Sequence, residues 1–382
     1  MFVPRPPVEG IRPDRFRPPH CPWPACAAHH RFRFRFSRQG DYRRKSDPSR
    51  RIPRFRCLEC GRRFSRQTFS VTYYLKRPGL LIPVAAGLVA GSAHRQLARS
   101  LGCAPSTVTR LSARIGRHAF LFHESALRSL SHLNEPIVLD HFESFAFSQD
   151  DRLGIATAVG HRSWLTYALE SAQHRRAGRR SRRKVAPRHA LPENVAGEVV
   201  RSTRRTLDFL LERSGRLVLH TDDHPAYRIA IARHPGRKRI RHRVFPNPHR
   251  GPEADRTLCL ERDRAMFPVD LLHGLLRHSQ AHHRRETIAF GRRANALMER
   301  AALAVVWRNF VKLRSERRPR DATTPAMKVG LADHPLTWPE IFARRLFPMR
   351  VRLHLSWQRL YDRDLQTPAV GRNQRHRLRH AY

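Results

Sequence analysis

Apolar and polar positions along this chain change period several times, and each change marks a different element. Between residues 31 and 36 arginine and phenylalanine alternate strictly (Arg31, Phe32, Arg33, Phe34, Arg35, Phe36). That is a strand pattern with one basic and one apolar face. From 80 to 130 the pattern is helical. Three strand-like runs follow, at 136–148, 153–160 and 163–170, separated by turn residues as in a meander. Within the first, Ile137, Val138 and Leu139 form a short apolar run that ends in Asp140. Residues 193–214 predict an amphipathic helix, with Val195, Val199, Thr206, Phe209 and Leu210 near one face. A strand at 216–223 centres on Leu217, Val218 and Leu219 and contains Asp222. A short helix (225–233) and a strand (240–245) come next. Residues 267–313 read as helical for most of their length, and so do 336–360.

Charge changes the picture. The 382 residues carry 75 Lys+Arg against 31 Asp+Glu, a formal net charge of +44, which calls for a polyanionic partner such as double-stranded DNA. Only six of the basic residues are lysine, a bias that suits phosphate contact and also follows from a GC-rich genome. No apolar run reaches the roughly 18 residues of a membrane span, and no secretion signal is evident. A cytoplasmic, nucleoid-associated protein without a membrane partner is expected. The length allows several domains. We read 1–20 as a disordered basic arm, 21–78 as a zinc ribbon and 79–131 as a helix-turn-helix domain. An α/β catalytic core at 132–315 carries a basic insertion at 173–190, and a helical tail occupies 316–382.

Four cysteines form two close pairs, Cys21/Cys26 and Cys57/Cys60. Two such knuckles can converge on one structural Zn²⁺, and Gly61 eases the turn after the second. His29 or His30 in place of one cysteine is the rival ligand set. In residues 94–116, Ala98, Gly102 and Val108 stand at the small, turn and anchor positions of a helix-turn-helix. Leu97, Leu101, Val108, Leu111 and Ile115 would form its core. Thr107, Thr109, Arg110 and Arg114 would face DNA, with Arg110 placed to read a guanine.

The order of three strands, helix, strand, helix, strand and long helices suits an RNase H-like α/β core. Asp140 and Asp222 each follow an apolar strand run, where a carboxylate is held rigidly and still reaches solvent. Two such carboxylates on adjacent strands can share Mg²⁺ or Mn²⁺ at a phosphodiester. Asp270, His273 and Arg277 fall near one helix face at i, i+3 and i+7.

In these motifs the chain resembles bacterial insertion-sequence transposases of the DDE class, in particular a small family with a zinc ribbon, a helix-turn-helix and a short catalytic core. That family has Asp at the end of a first strand and a Thr-Asp-Gly-like site followed by Tyr. Its third motif is Glu-Arg-x-Asn, with Arg seven residues later and then Arg-Lys-Thr/Ser-Leu-Ser-Phe. Here Thr221, Asp222, Asp223 and Tyr227 match the second site. Asp270 takes the place of the family's Glu, with Arg277 seven on and Arg285-Glu286-Thr287-Ile288-Ala289-Phe290 after it. Leu271 and His273 replace the family's Arg and Asn, and His141 stands where an acid tends to follow the first Asp. The resemblance spans about residues 20–315 by motif. It implies Asp140, Asp222 and Asp270 as catalytic, Mg²⁺-binding acids and Arg277 and Arg285 as phosphate contacts. It also implies DNA cleavage and strand transfer, by a homodimer or larger assembly that holds two ends. The alternatives are a catalytically inactive, transposase-derived DNA-binding regulator, and a nuclease without strand transfer.

Overall fold

The computed structural model describes residues 16–44, 47–147, 151–175, 197–317, 321–367 and 370. Most of the basic arm and of the basic insertion, the helix position Val195 and the last residues of the tail lie outside them. The elements run α1 (Ala27–His30), β1 (Phe36–Arg44), β2 (Asp47–Cys57), β3 (Arg63–Ser65), α2 (Leu81–Val89), α3 (His94–Ser100) and α4 (Pro105–Leu127). Then come β4 (Ile137–Phe145), β5 (Asp151–Gly160), β6 (Thr166–Arg175), α5 (Glu198–Leu211), β7 (Leu217–Thr221), α6 (Pro225–Ala232) and β8 (Ile240–Val244). Last are α7 (Arg256–Ser279), α8 (Ala294–Val306), α9 (Pro325–Lys328), α10 (Trp338–Ile341), α11 (Pro348–Val351) and α12 (Leu355–Tyr361).

Two sheets result. β1, β2 and β3 form a small antiparallel one, and five strands form a mixed one in the order β6-β5-β4-β7-β8. β4 pairs antiparallel with β5 on one side and parallel with β7 on the other, which puts the Asp140 strand in the middle. A central strand is buried on both faces, and Ile137, Val138, Leu139 and Phe142 are all under 2 % exposed. One face meets α5 and α6, where His141 contacts Ser202 and Tyr227. The other meets α7, where Phe142 packs on His273 and His283.

Three departures from the sequence expectation are physical. The Arg/Phe alternation at 31–36 precedes the strand, which starts only at Phe36; Phe32 is 92 % exposed while Phe34 and Phe36 turn onto the ribbon core. α7 begins eleven residues before the expected 267, because Asp255 caps it by accepting from the Thr257 and Leu258 main-chain N–H groups. The helical run then breaks between α7 and α8, and the described part of the tail holds four short helices, three of them in place of the one expected over 336–360.

A single apolar cluster runs from Val71 to Leu365 and joins α2–α4, the large sheet and the tail. Its helical spine is α4 against α8. They approach so closely that a Cβ on Gly116 would lie 2.4 Å from the Glu299 carbonyl oxygen. Buried acids stitch elements together, each with two arginines. Glu299 takes Arg117 and Arg363, Glu124 takes Arg213 and Arg128, and Glu170 takes Arg205 and Arg359. Removing one partner would strand a buried charge. Among the described residues no helix is long and apolar enough to cross a membrane.

Candidate metal centre and catalytic cleft

The four cysteines converge. Cys21 and Cys60 sulfurs lie 3.7 Å apart and Cys26 and Cys57 sulfurs 3.9 Å apart, and all four fall within 4.8 Å of one another. Four thiolates at about 2.3 Å from one Zn²⁺ would stand about 3.8 Å apart, so the site fits a structural metal such as zinc. Gly61 supplies the turn with φ +70°. His29 is not in the ligand group; its Nδ1 donates to the Cys21 carbonyl at 2.8 Å. A contact with no sequence signal completes the centre. Phe347, from the tail, packs in the same cluster as Cys21, Cys26 and Cys57. Arg345 binds the Phe69 and Thr68 carbonyls, and Arg350 those of His29 and Arg31.

The helix-turn-helix pattern corresponds to α3, a turn and the start of α4. Gly102 has φ +55°, and the Arg77 guanidinium donates to its carbonyl at 2.8 Å. Leu97, Val108, Leu111 and Ile115 are buried and Leu101 packs against them. Thr109 and Arg110 are exposed and Thr107 is half-buried; the Thr109 hydroxyl donates to the Pro105 carbonyl at 3.0 Å and lies 3.1 Å from His94 Nδ1. Arg114 departs from the expectation. Its guanidinium turns inward and donates to the Val71 and Tyr73 carbonyls at 2.8 and 2.6 Å, tying α4 to the segment before α2.

Two of the acids sit on neighbouring strands of the large sheet, and α7 packs on β4 and β5. The β4–β7 register pairs Ile137 with Leu219 and Val138 with His220; two residues on, Asp222 stands level with Asp140 just past the end of β7. Asp140 Oδ1 accepts from the His141 main-chain N–H at 2.7 Å and from the Tyr227 hydroxyl at 3.1 Å. Burial, then the charge of Asp222, with a further contribution from Asp270, pushes the Asp140 carboxyl up to about 7. From α7, His273 places its Nδ1 3.7 Å from Asp140 Oδ2. Burial, and next the nearby Arg277, lowers this imidazole to about 3, so it is neutral.

Asp270 is on the expected helix face, but its carboxylate is engaged. Both terminal nitrogens of Arg262 bind it, and Arg262 Nε donates to Asn247 at 2.9 Å. Asn247 in turn reaches Asp222 Oδ2 at 3.5 Å. Arg262 therefore bridges two of the three acids. It lies two turns before Asp270 on α7 and escaped sequence reading because the helix start was placed after it. Among the described residues only the four cysteines bring three or more ligand atoms within 4.8 Å of one another. The three acids do not.

Arg277 packs over the Phe142 ring and donates to the His283 and Glu143 carbonyls, so part of its donor set is spent within the protein. Arg285 is exposed and lines a cavity of about 200 Å³ with Arg152, Arg277, Arg284 and Glu143. Against known proteins, no family model matches the chain and no curated protein matches it in sequence.

Proposed function

We propose that this chain is a DDE-class insertion-sequence transposase, which binds duplex DNA at element ends and cuts and joins strands with a divalent cation. The observation that carries the reading is that Asp140 and Asp222 stand level on two neighbouring parallel strands, close enough for the charge of Asp222 to raise the Asp140 carboxyl. The chain order of three strands, helix, strand, helix, strand supports an RNase H-like core. Arg277 and Arg285 would contact backbone phosphates, and the ribbon and helix-turn-helix would hold the duplex.

Asp140 and Asp222 suit a hard cation such as Mg²⁺ or Mn²⁺. A cation held there would activate a water or 3′-hydroxyl at the scissile phosphodiester. The protein's own part is to fix Asp140 through Tyr227 and the His141 amide, and to hold Asp222 through Asn247 and the His224 amide. Asp270, paired with Arg262, does not fit as a third ligand in this arrangement.

With purified protein and duplexes carrying the matched ends, we expect nicking that requires Mg²⁺ or Mn²⁺. Asp222→Asn should lower it about 100-fold or more, the loss that follows when several kcal/mol of charge stabilisation goes. Unchanged nicking by that variant would sink the proposal. The pairing of Asp270 with Arg262 favours one second reading, an inactive DNA-binding regulator of transposase descent. It predicts sequence-specific binding, unaltered by Asp140→Ala, with no strand breakage under any metal. A nuclease alone would cut without joining 3′ ends to a target duplex.

A further inference from the structure

A cavity of about 360 Å³ lies where the small sheet meets the turn that leads toward α2. That is within the size range of pockets that enclose small organic groups. The sheet gives it one wall. Tyr42 on β1 pairs with Ile52 on β2, and Arg54 pairs with Ser65 on β3. Residues two apart on a strand share a face, so these side chains look the same way, opposite to Phe55, which packs in the cysteine cluster. Arg54 and Arg63 line the cavity and are exposed, and no acid lines it among the described residues. Tyr73 and Tyr74 line it from the turn, with ring centroids 4.4 Å apart. Tyr74 has φ +60°, a left-handed conformation that a bulky residue rarely adopts. Its ring is nevertheless 65 % exposed, so burial of the ring does not repay the strain. The surroundings enforce the conformation instead. The Leu75 N–H donates to the Thr72 carbonyl at 3.0 Å, and Gln67 Nε2 donates to the Thr72 hydroxyl at 3.1 Å. From α4, Arg114 donates to the Val71 and Tyr73 carbonyls at 2.8 and 2.6 Å. Backbone strain held by its neighbours around an exposed ring is a mark of a binding position.

Tyrosine rings beside exposed guanidinium groups, with no acid among them, suit a flat ring carried on an anionic chain. A nucleobase is such a group, since bases stack on aromatic faces and on arginine planes while the backbone phosphates take the cations. In a paired duplex the faces of each base are covered by its neighbours, so only a base out of the stack can enter a pocket. We infer that this cavity captures one unpaired base of bound DNA, stacked on Tyr74 and Tyr42, with Arg54 and Arg63 on the flanking phosphates. Arg114 is a positioning residue, since it fixes the turn from α4 without touching the base. The inference rests on the reading of the chain as a DNA-binding protein and adds a single-base subsite to it.

The test is fluorescence anisotropy with the full-length, zinc-loaded protein on two probes, a fully paired duplex and the same duplex with one unpaired thymine. The unpaired base should tighten binding by about fivefold or more, the low end of what one stacked base contributes. Tyr74→Gly removes the ring at a φ that glycine adopts freely, so the turn should survive it. That variant should erase the preference and leave affinity for the paired duplex within about twofold, whereas Tyr74→Phe, which keeps a stacking ring, should retain the preference. With iodouracil at the unpaired position, the wild type should photocrosslink at Tyr42 or Tyr74. Equal affinity for the two probes, a preference that survives Tyr74→Gly, or crosslinks only at other residues overturns the inference. So does a Tyr74→Gly loss of equal size on both probes, because the ring would then contact paired DNA. Binding of neither probe would remove the DNA-binding reading beneath it as well.

Discussion

Asp140 carries a cost as a buried carboxyl beside a second acid. Its carboxyl titrates near 7 in the folded protein against 3.8 for a free side chain, chiefly because it is buried and because Asp222 is close. Between those two values the native state binds more protons than the unfolded chain. Native stability therefore falls as pH rises from about 4 to about 7 and stays lower above that. Asp140→Asn removes the titration. In metal-free protein it should be more stable than wild type by about 1–3 kcal/mol at pH 8, with the difference vanishing near pH 4. Urea unfolding at the two pH values checks this, and a gap of equal size at both would refute it. The neighbouring residues divide between those legible in sequence and those that were not. Asp140 and Asp222 each close an apolar strand run, so their placement followed from local pattern. The roles of Arg262 and Asn247 did not, because each is defined by a contact with a residue distant in the chain.

At the scale of elements, the cysteine ribbon and the tail pack together. The first cysteine knuckle lies more than 300 residues from Phe347, yet Phe347 belongs to the same buried cluster as Cys21, Cys26 and Cys57, with His20, His29 and Phe69 around its ring. With zinc on its four cysteines, a ribbon this small would draw much of its stability from the metal. Phe347→Ala should destabilise it by about 3 kcal/mol and speed zinc release to a chelator, as read by a zinc-sensitive dye. Chelation of the wild type should in turn expose the 345–350 segment to protease. If zinc leaves at the same rate from both proteins, the tail does not support the ribbon. The ribbon itself was readable from cysteine spacing, while its tail support was not. α4 gives the same lesson within one helix. Val108 and Leu111 announced a helix-turn-helix, but the helix runs on to Leu127, and Gly116 is small because α8 passes there.

For the whole molecule the charge of +44 sets the terms of association. Part of the arginine surplus is structural, as the paired arginines on Glu124, Glu170 and Glu299 show, and Arg114 is spent on carbonyls. The exposed remainder, Arg110 and Arg285 among them, would displace counterions from a duplex if the proposed function holds. Affinity for random duplex DNA should fall by about 10³-fold or more between 50 and 200 mM salt, as for proteins that make six or more phosphate contacts. Fluorescence anisotropy measures it, and a flat salt dependence would argue against a nucleic-acid partner.

The chain alone determined what depends on local spacing: two cysteine pairs that can share an ion, a turn glycine between apolar helix positions, apolar strand runs followed by aspartate, and a net charge of +44. Periodicity reports which face of an element is buried, and so it located most strands and helices within a few residues. It is silent on which distant side chain completes a site. Only the tertiary structure decided that Asp270 faces Arg262, that Arg114 turns inward, that Phe347 covers the cysteine centre and that His273 meets Asp140. Those outcomes follow from how helices and sheet pack in three dimensions, where the competing partners for each polar group are brought within reach.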